Sequence, residues 1–479
     1  IVFPRTSFHK QPIKQTHATM VHAGETTHVL LVPYPSQGHL NPIVQFGKRL
    51  AAHGGIRCTV AATRFVVGST KPTPGSLRVA VFSDGCDGGG PDDLGGHEGP
   101  YFERLEAAGS ETLDELLRSE AAQGRPVRVV VYDAFMPWVL PVARRHGAAC
   151  AAFLTQACAV DVVYTHARAG RVPVPMRDGD GPLELAGIPA RLAAADVSAL
   201  LTEAGADCTT LRHMLMNQFA GLDAVDHVLV NSFYDLEPQE AEYMASTLGA
   251  RTIGPTVPSA YLDKRLPDDV SYGFHLHTPM TAVTKAWLDA HPPRSVVYAS
   301  FGSIAALGPD QMGEVAEGLC QAGSPFLWVV RATETAKLPE AFAARAEVRG
   351  DLIVPWCPQL EVLAHRAVGC FVTHCGWNST VEALSAGVPM VAMPQWSDQP
   401  TNAKYIEDVW RVGVRARPDG EGVVRKEEVE RCVREVMRGE GTYKMKAAEW
   451  RQKAKSAVSE GGSSDRNIAD FLSQYRAAK

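Results

Sequence analysis

The run from Trp356 to Gln399 concentrates side chains able to stack and to hydrogen-bond: Trp356, Gln359, His374, Asn378, Ser379, Glu382, Asp398 and Gln399. Trp356 follows the short apolar run Leu352 to Pro355, so its ring sits at the carboxyl end of a buried strand, where open parallel sheets bind ligands. An indole there offers a flat stacking surface for a base, a contact worth roughly 1–3 kcal/mol in single-strand nucleic acid binders. A core tryptophan is the bland alternative. Gly369 to Thr373 reads as a strand that ends at His374, and Asn378-Ser379-Thr380 opens a helix closed by Gly387. Such a unit aims unpaired backbone N–H groups and roughly +0.5 of a charge beyond the sheet. A diphosphate fits there, with His374, Gly376, Asn378 and Ser379 as donors to its oxygens, and the same donors would stabilise a nucleoside diphosphate that departs carrying negative charge.

Two carboxylates in this run have plain structural readings. Ser379-Thr380-Val381-Glu382 fits a capping box, in which Glu382 closes the helix N-terminus. Asp398, ahead of Pro400, fits an N-cap.

Earlier in the chain, Pro33 to Pro42 follows an apolar run. Asn41 is a good N-cap and Pro42 a good first helical residue, which would hold His39 in a tight turn at a strand's carboxyl end. A histidine, with an unperturbed pKa near ~6.5, can be neutral at cytoplasmic pH and ready to accept a proton. Asp133, at the end of the apolar run Val127 to Tyr132, is the carboxylate that would fix its tautomer and stabilise the imidazolium. The alternatives are a histidine that merely caps its helix and an aspartate that caps the helix containing Pro137.

Positioning these groups requires a regular α/β frame. Short apolar runs alternate with amphipathic helices at His28 to Pro33, Ile56 to Thr63, Leu77 to Ser83, Val127 to Tyr132, Ala148 to Leu154, His227 to Ser232 and Arg251 to Pro255. A second series follows at Ser295 to Ser300, Pro325 to Val330, Asp351 to Pro355, Gly369 to Thr373, Val388 to Met393 and Val412 to Arg415. This alternation predicts doubly wound parallel sheets. Between the two series, Gly254 to Pro279 is rich in Pro, Asp and His and lacks periodicity, which marks a linker. The expected division is a Rossmann-like domain over 20–262, a linker over 263–285 and a second Rossmann-like domain over 286–460.

At 479 residues the chain is too long for one core, and 45% hydrophobic with 21% charged residues is ordinary for a globular protein. A net charge of −6 argues against a nucleic acid partner, so a small ligand's phosphates must be met locally. The ten cysteines contain no C-x-x-C pair, and Cys370 and Cys375 flank His374 without the ligand set of a zinc site. They read as buried thiols in a reducing compartment, the cytoplasm. No stretch approaches 18 uninterrupted apolar residues, so no membrane span is expected. Residues 1–19 have no initiator Met and no apolar h-region, and are expected to be a non-native or disordered extension. Neither half carries G-x-G-x-x-G after its first strand, which argues against a nicotinamide dehydrogenase.

Taken whole, Trp356 to Gln399 resembles the signature box of the plant family 1 UDP-glycosyltransferases, and the chain from about residue 27 resembles monocot trichothecene-conjugating glucosyltransferases. The resemblance implies a GT-B fold, two facing Rossmann-like domains with a cleft between them, and a last helix over 461–479 that returns to the first domain. It implies His39 and Asp133 as the catalytic pair. For the donor it implies contacts from Ser303, Trp356, Cys357, Gln359, His374, Gly376, Trp377, Asn378, Ser379, Glu382, Asp398, Gln399 and Thr155, with Glu382 on the ribose and the Asp398-Gln399 pair on the sugar. Gln399 favours glucose over galactose. The implied reaction is inverting transfer from UDP-glucose, a co-substrate and not a cofactor, to a hydroxyl or carboxyl of a small hydrophobic acceptor, with a trichothecene as the leading acceptor. No metal is required, and Asp178-Gly179-Asp180, which superficially matches the D-x-D of metal-dependent transferases, reads as a solvated loop. Phe135, Met136, Trp138, Met214 and Phe219 could line an acceptor cleft or simply pack in the core. A monomer is expected. A catalytically silent UDP-sugar-binding protein is the alternative, and the presence of both His39 and Asp133 argues against it.

Overall fold

The computed structural model describes residues 26–95, 98–203, 206–438 and 441–475, so the expected extension at 1–19 lies outside the described residues. The first sheet contains β1 (Thr27–Val32), β2 (Ile56–Thr63), β3 (Arg78–Phe82), β4 (Val129–Asp133), β5 (Ala149–Leu154), β6 (His227–Val230) and β7 (Ala250–Thr252). The second contains β8 (Val296–Ser300), β9 (Phe326–Val329), β10 (Leu352–Val354), β11 (Val368–Thr373), β12 (Met390–Ala392) and β13 (Gly413–Arg415). Their orders are β3-β2-β1-β4-β5-β6-β7 and β10-β9-β8-β11-β12-β13, and the pairings are parallel. Helices cover both faces, which is why strands such as β1 and β4 are buried at every residue and read as unbroken apolar runs. Each sheet reverses its winding once, between β1 and β4 and between β8 and β11. Crevices open at those two switch points, beyond the strands' carboxyl ends.

An apolar core continues through both lobes, joining Leu30, Val130 and Leu154 to Tyr298, Phe371 and Trp377. Beneath the first sheet, Val29, Phe46 and Phe153 pack with Ile468, Phe471 and Leu472 of the helix Ser463–Ser473. The same segment is stitched on by polar contacts: Thr27 Oγ1 donates to the Tyr475 carbonyl at 2.7 Å and Asn467 Nδ2 to the Thr252 carbonyl at 2.8 Å.

The non-periodic stretch between the lobes is held as firmly as a regular element. Gln45 and Lys48 of the helix Gln37–Ala51 bind the Asp269 carboxylate at 2.6 and 3.0 Å, and Arg49 pairs with Asp263 at 3.0 Å. Gln37 Nε2 donates to the Phe274 carbonyl at 2.9 Å while its Oε1 accepts from Leu276 N–H at 3.0 Å.

One local expectation is corrected. The helix starts at Gln37, with Ser36 as a cap that makes no side-chain bond, so Asn41 and Pro42 lie inside it instead of opening it. Proline has no N–H to offer the carbonyl four residues back. The carbonyl so released belongs to Gly38, and it has another use.

Candidate active site

His39 stands in the first turn of the helix that follows β1, and Asp133 is the last residue of β4, the neighbouring strand across the switch point. This adjacency brings Asp133 Oδ2 to 2.7 Å from His39 Nδ1. Asp133 Oδ1 accepts from Phe135 N–H at 3.0 Å, so the carboxylate is fixed at both oxygens. With its proton on Nδ1 facing Asp133, the imidazole keeps Nε2 as a base. Tyr34 and Phe135 wall the ring, at centroid separations of 5.2 and 4.7 Å, and Thr155 Oγ1 lies 3.4 Å from Nδ1. Asp133 is buried, whereas His39 retains 17% exposure and faces the cleft.

The opposite wall is built at the other switch point. Beyond β8 the chain turns through Gly302 and Ser303, and beyond β11 through His374, Cys375 and Gly376 into the helix Trp377–Ala386. The N-cap residue, Gly376, has no side chain with which to cap that helix; the Trp377 N–H is held by the Asp398 carboxylate, and the N–H groups that follow it remain on offer at the cleft. A Cβ at Gly376 would stand 2.5 Å from His374 Nε2, and one at Gly302 would stand 2.6 Å away, so only glycine at both positions admits the ring. Cys375, a residue with a side chain, is held at a φ of 67°, a strained conformation of the kind that concentrates at functional sites. Burial, aided by the Arg331 guanidinium, lowers His374 to about 4. A neutral imidazole can donate one N–H to a phosphate oxygen.

Glu382 does not form the capping box. The helix begins at Trp377, which puts Ser379 inside it, and the Glu382 carboxylate points to other partners. Its Oε2 accepts from Gln359 Nε2 at 2.8 Å and its Oε1 from the Tyr272 hydroxyl at 2.8 Å. Gln359 also donates to Ser379 Oγ at 3.0 Å and accepts from the Tyr298 hydroxyl at 2.9 Å. Burial lifts Glu382 to about 6 against these donors. Asp398 caps its helix by position only; its carboxylate accepts from Asn402 Nδ2 at 2.7 Å, and burial raises it to about 6, opposed by Asn402, the Trp377 backbone N–H and the proximity of His39. Gln399 Oε1 accepts from the N–H groups of Gln395 and Trp396 at 2.8 and 3.2 Å, so a sugar hydroxyl would meet its Nε2.

Trp356 lines the cleft, and His277 packs on its ring at 4.3 Å from outside the lining. The Cys357 thiol lies 3.4 Å from the Tyr298 hydroxyl and is pushed up to about 12 by burial, so a donor contact from this position would come through its backbone. Two residues of the box are turned across the cleft. Trp377 Nε1 donates to the Asn231 carbonyl at 2.7 Å, and Asn378 Nδ2 donates at 2.7 Å to the Gly38 carbonyl that Pro42 leaves free. The first bond ties the helix Trp377–Ala386 to the residue that follows β6, and the second docks it onto the segment that carries His39.

The cleft between the walls has a volume of about 620 Å3 and is lined by His39 and by every residue expected to contact the donor, while Asp133 lies behind His39. On the acceptor side Phe135 and Met214 line it, joined by Leu200, Leu211 and Leu215; Met136, Trp138 and Phe219 are buried and lie outside the lining. Asp178 and Asp180 are exposed and lie away from the cleft, where Asp180 accepts from its own loop's Arg177 N–H at 2.7 Å. The contributions of Tyr272 and Tyr298 were not foreseen. Tyr272 sits in a non-periodic stretch, and no local pattern singles it out.

Comparisons agree with this geometry. Residues 268–450 match the model of the family described as UDP-glucoronosyl and UDP-glucosyl transferase. A UDP-glucosyltransferase from Hordeum vulgare, UGT13248, is 51% identical over 94% of this chain and 95% of its own length. Os79 from O. sativa, solved in complex with UDP, superposes with a TM-score of 0.87 at 48% identity, covering 93% of this chain and 100% of that one. The same protein solved with U2F and trichothecene gives 0.85 at 47% identity, with the same coverage. The matched fold is the two-lobed GT-B arrangement. Among the described residues no helix is long and apolar enough to cross a membrane. With identity near one half across almost the full length, the chain belongs to the UDP-glucoronosyl and UDP-glucosyl transferase family, as a plant family 1 UDP-glycosyltransferase.

Proposed function

We propose that this enzyme transfers glucose from UDP-glucose to a hydroxyl of a small apolar acceptor with inversion, releasing UDP and a β-glucoside. The observation that carries this reading is the facing of His39 Nε2, poised by Asp133, against an uncapped helix N-terminus in one cleft. His39 removes the acceptor proton as the oxygen attacks the anomeric carbon from the face opposite the leaving group. Asp133 stabilises the imidazolium that results. The C–O bond to the phosphate breaks as charge builds on UDP, which the helix N–H groups and neutral His374 meet without a metal.

In this reading Trp356 stacks on uracil, Glu382 holds the ribose, Ser303, Gly376 and Ser379 serve the phosphates, and Asp398, Gln399 and Thr155 address the sugar. Asn378 contributes its backbone N–H, the Trp377 N–H holds the Asp398 carboxylate in place, and the side chains of both residues hold the lobes together. The described residues within 20–262 make the acceptor lobe, 263–285 the linker and the described residues within 286–460 the donor lobe, and the protein works as a cytoplasmic monomer. The apolar wall of Phe135, Leu200, Leu211, Met214 and Leu215 suits a compact hydrophobic acceptor. A trichothecene is the leading acceptor because Os79, solved with one, is so similar. The test is an acceptor screen with UDP-glucose that reads UDP release and product mass, with and without a chelator. A trichothecene glucoside formed equally in both arms is expected. UDP release independent of any acceptor would reject the reading, and loss of activity with chelator would reject the metal-free step.

A further inference from the structure

Tyr272 belongs to the stretch between the lobes, yet its hydroxyl reaches Glu382 of the donor lobe and donates to Oε1 at 2.8 Å. The residues on either side of it are moored to the acceptor lobe. Asp269 and the Ser271 carbonyl are held by Lys48, the Gly273 carbonyl accepts from Thr73 N–H at 2.8 Å, and the Phe274 carbonyl is held by Gln37. Phe274 itself is buried in the core beneath the first sheet. Tyr272 is therefore a strut: one end is built into the acceptor lobe and the other touches the carboxylate assigned to the ribose.

An ionised carboxylate has about four acceptor sites. Tyr272 takes one on Oε1 and Gln359 takes one on Oε2, which leaves one on each oxygen. Two vicinal hydroxyls, each needing one acceptor, match what remains. The neighbouring Tyr298 and Cys357, both shifted up by burial, are neutral and do not compete for charge.

Resting on the donor-site reading above, we infer that Tyr272 is a positioning residue: from the acceptor lobe it orients Glu382 so that the carboxylate's two open acceptor sites meet the ribose hydroxyls. Grip on the nucleotide is thereby tied to the linker as well as to the donor lobe.

The experiment compares UDP with 2′,3′-dideoxy-UDP on the full chain and on Tyr272→Phe, by calorimetry. The full chain should bind the dideoxy nucleotide at least tenfold more weakly than UDP. Tyr272→Phe should weaken UDP binding by about tenfold or more, as expected for one hydrogen bond to a charged group, and should leave dideoxy-UDP affinity within twofold of the full chain. A full chain indifferent to the missing hydroxyls would overturn the ribose role of Glu382 itself. If the hydroxyls matter but Tyr272→Phe weakens both nucleotides equally, the residue is only structural and the inference fails. Tighter UDP binding by Tyr272→Phe would also overturn it, because the tyrosine would then be competing with the ribose.

Discussion

Replacing Asp133 with asparagine keeps the shape of the side chain and removes its charge, which makes it the sharpest probe of the proposed base. Asp133 Oδ1 accepts from Phe135 N–H and Oδ2 from His39. In Asp133→Asn only one oxygen remains, and the Phe135 N–H, fixed by the backbone, holds it. The new amide then points its N–H at Nδ1 of His39, which moves the imidazole proton to Nε2, the atom that should accept from the substrate. The charge adds to this. At an effective dielectric of ~20, unit charges ~4 Å apart attract by ~4 kcal/mol, an upper figure for a pair in which His39 is 17% exposed. Allowing ~3 kcal/mol for lost imidazolium stabilisation gives a ~10²-fold slower reaction, and the wrong tautomer lowers it further. The assay is kcat/KM for the acceptor at saturating UDP-glucose, with UDP affinity measured alongside to show that the donor lobe is intact. A variant within tenfold of the parent, with unchanged UDP binding, would refute the reasoning.

Three further outcomes are expected. In its proposed role Glu382, lifted to about 6, would bind the ribose hydroxyls as the carboxylate, a contribution present above that pH and lost as pH falls through it; UDP affinity should weaken roughly tenfold between pH 8 and pH 5. Glu382→Gln should remove that component and leave only the titration of the nucleotide's own phosphate, which calorimetry across the same range will show. Gly376→Ala places a methyl group 2.5 Å from His374 Nε2; at ~1–3 kcal/mol for overpacking, UDP affinity should fall by ~5-fold to ~150-fold. Asp398→Asn should raise KM for UDP-glucose while leaving the Kd of UDP unchanged, since only the sugar is addressed, and a matched loss on UDP would displace Asp398 from that role.

Legibility followed the range of the forces involved. Strands sheathed on both faces announce themselves as apolar runs, and every expected run overlaps a strand; the widest offset is at β7, Ala250–Thr252 against an expected Arg251 to Pro255. The elements of the donor wall were legible for the same reason, because the turn after β11 and the helix behind it form one continuous stretch. Cap chemistry misled where a tertiary contact outbid it. Asn41 and Pro42 have the local marks of a helix start, but the helix begins one turn earlier, and the carbonyl left over by Pro42 is satisfied by Asn378, 340 positions away. Glu382 likewise had a local partner in view and took Tyr272, 110 positions distant. Contacts of that span leave no periodic trace.

The helix Ser463–Ser473 has a consequence for how the molecule is made. Thr27 and Tyr475, hydrogen-bonded in the finished protein, are 448 positions apart. At about 5–20 residues per second of synthesis, roughly 20–90 s separate their emergence from the ribosome. Throughout that interval Val29, Phe46 and Phe153 lack the cover of Ile468, Phe471 and Leu472. The nascent first lobe thus presents a sticky underside for the whole time its partner is being translated, a window in which chaperones have something to hold.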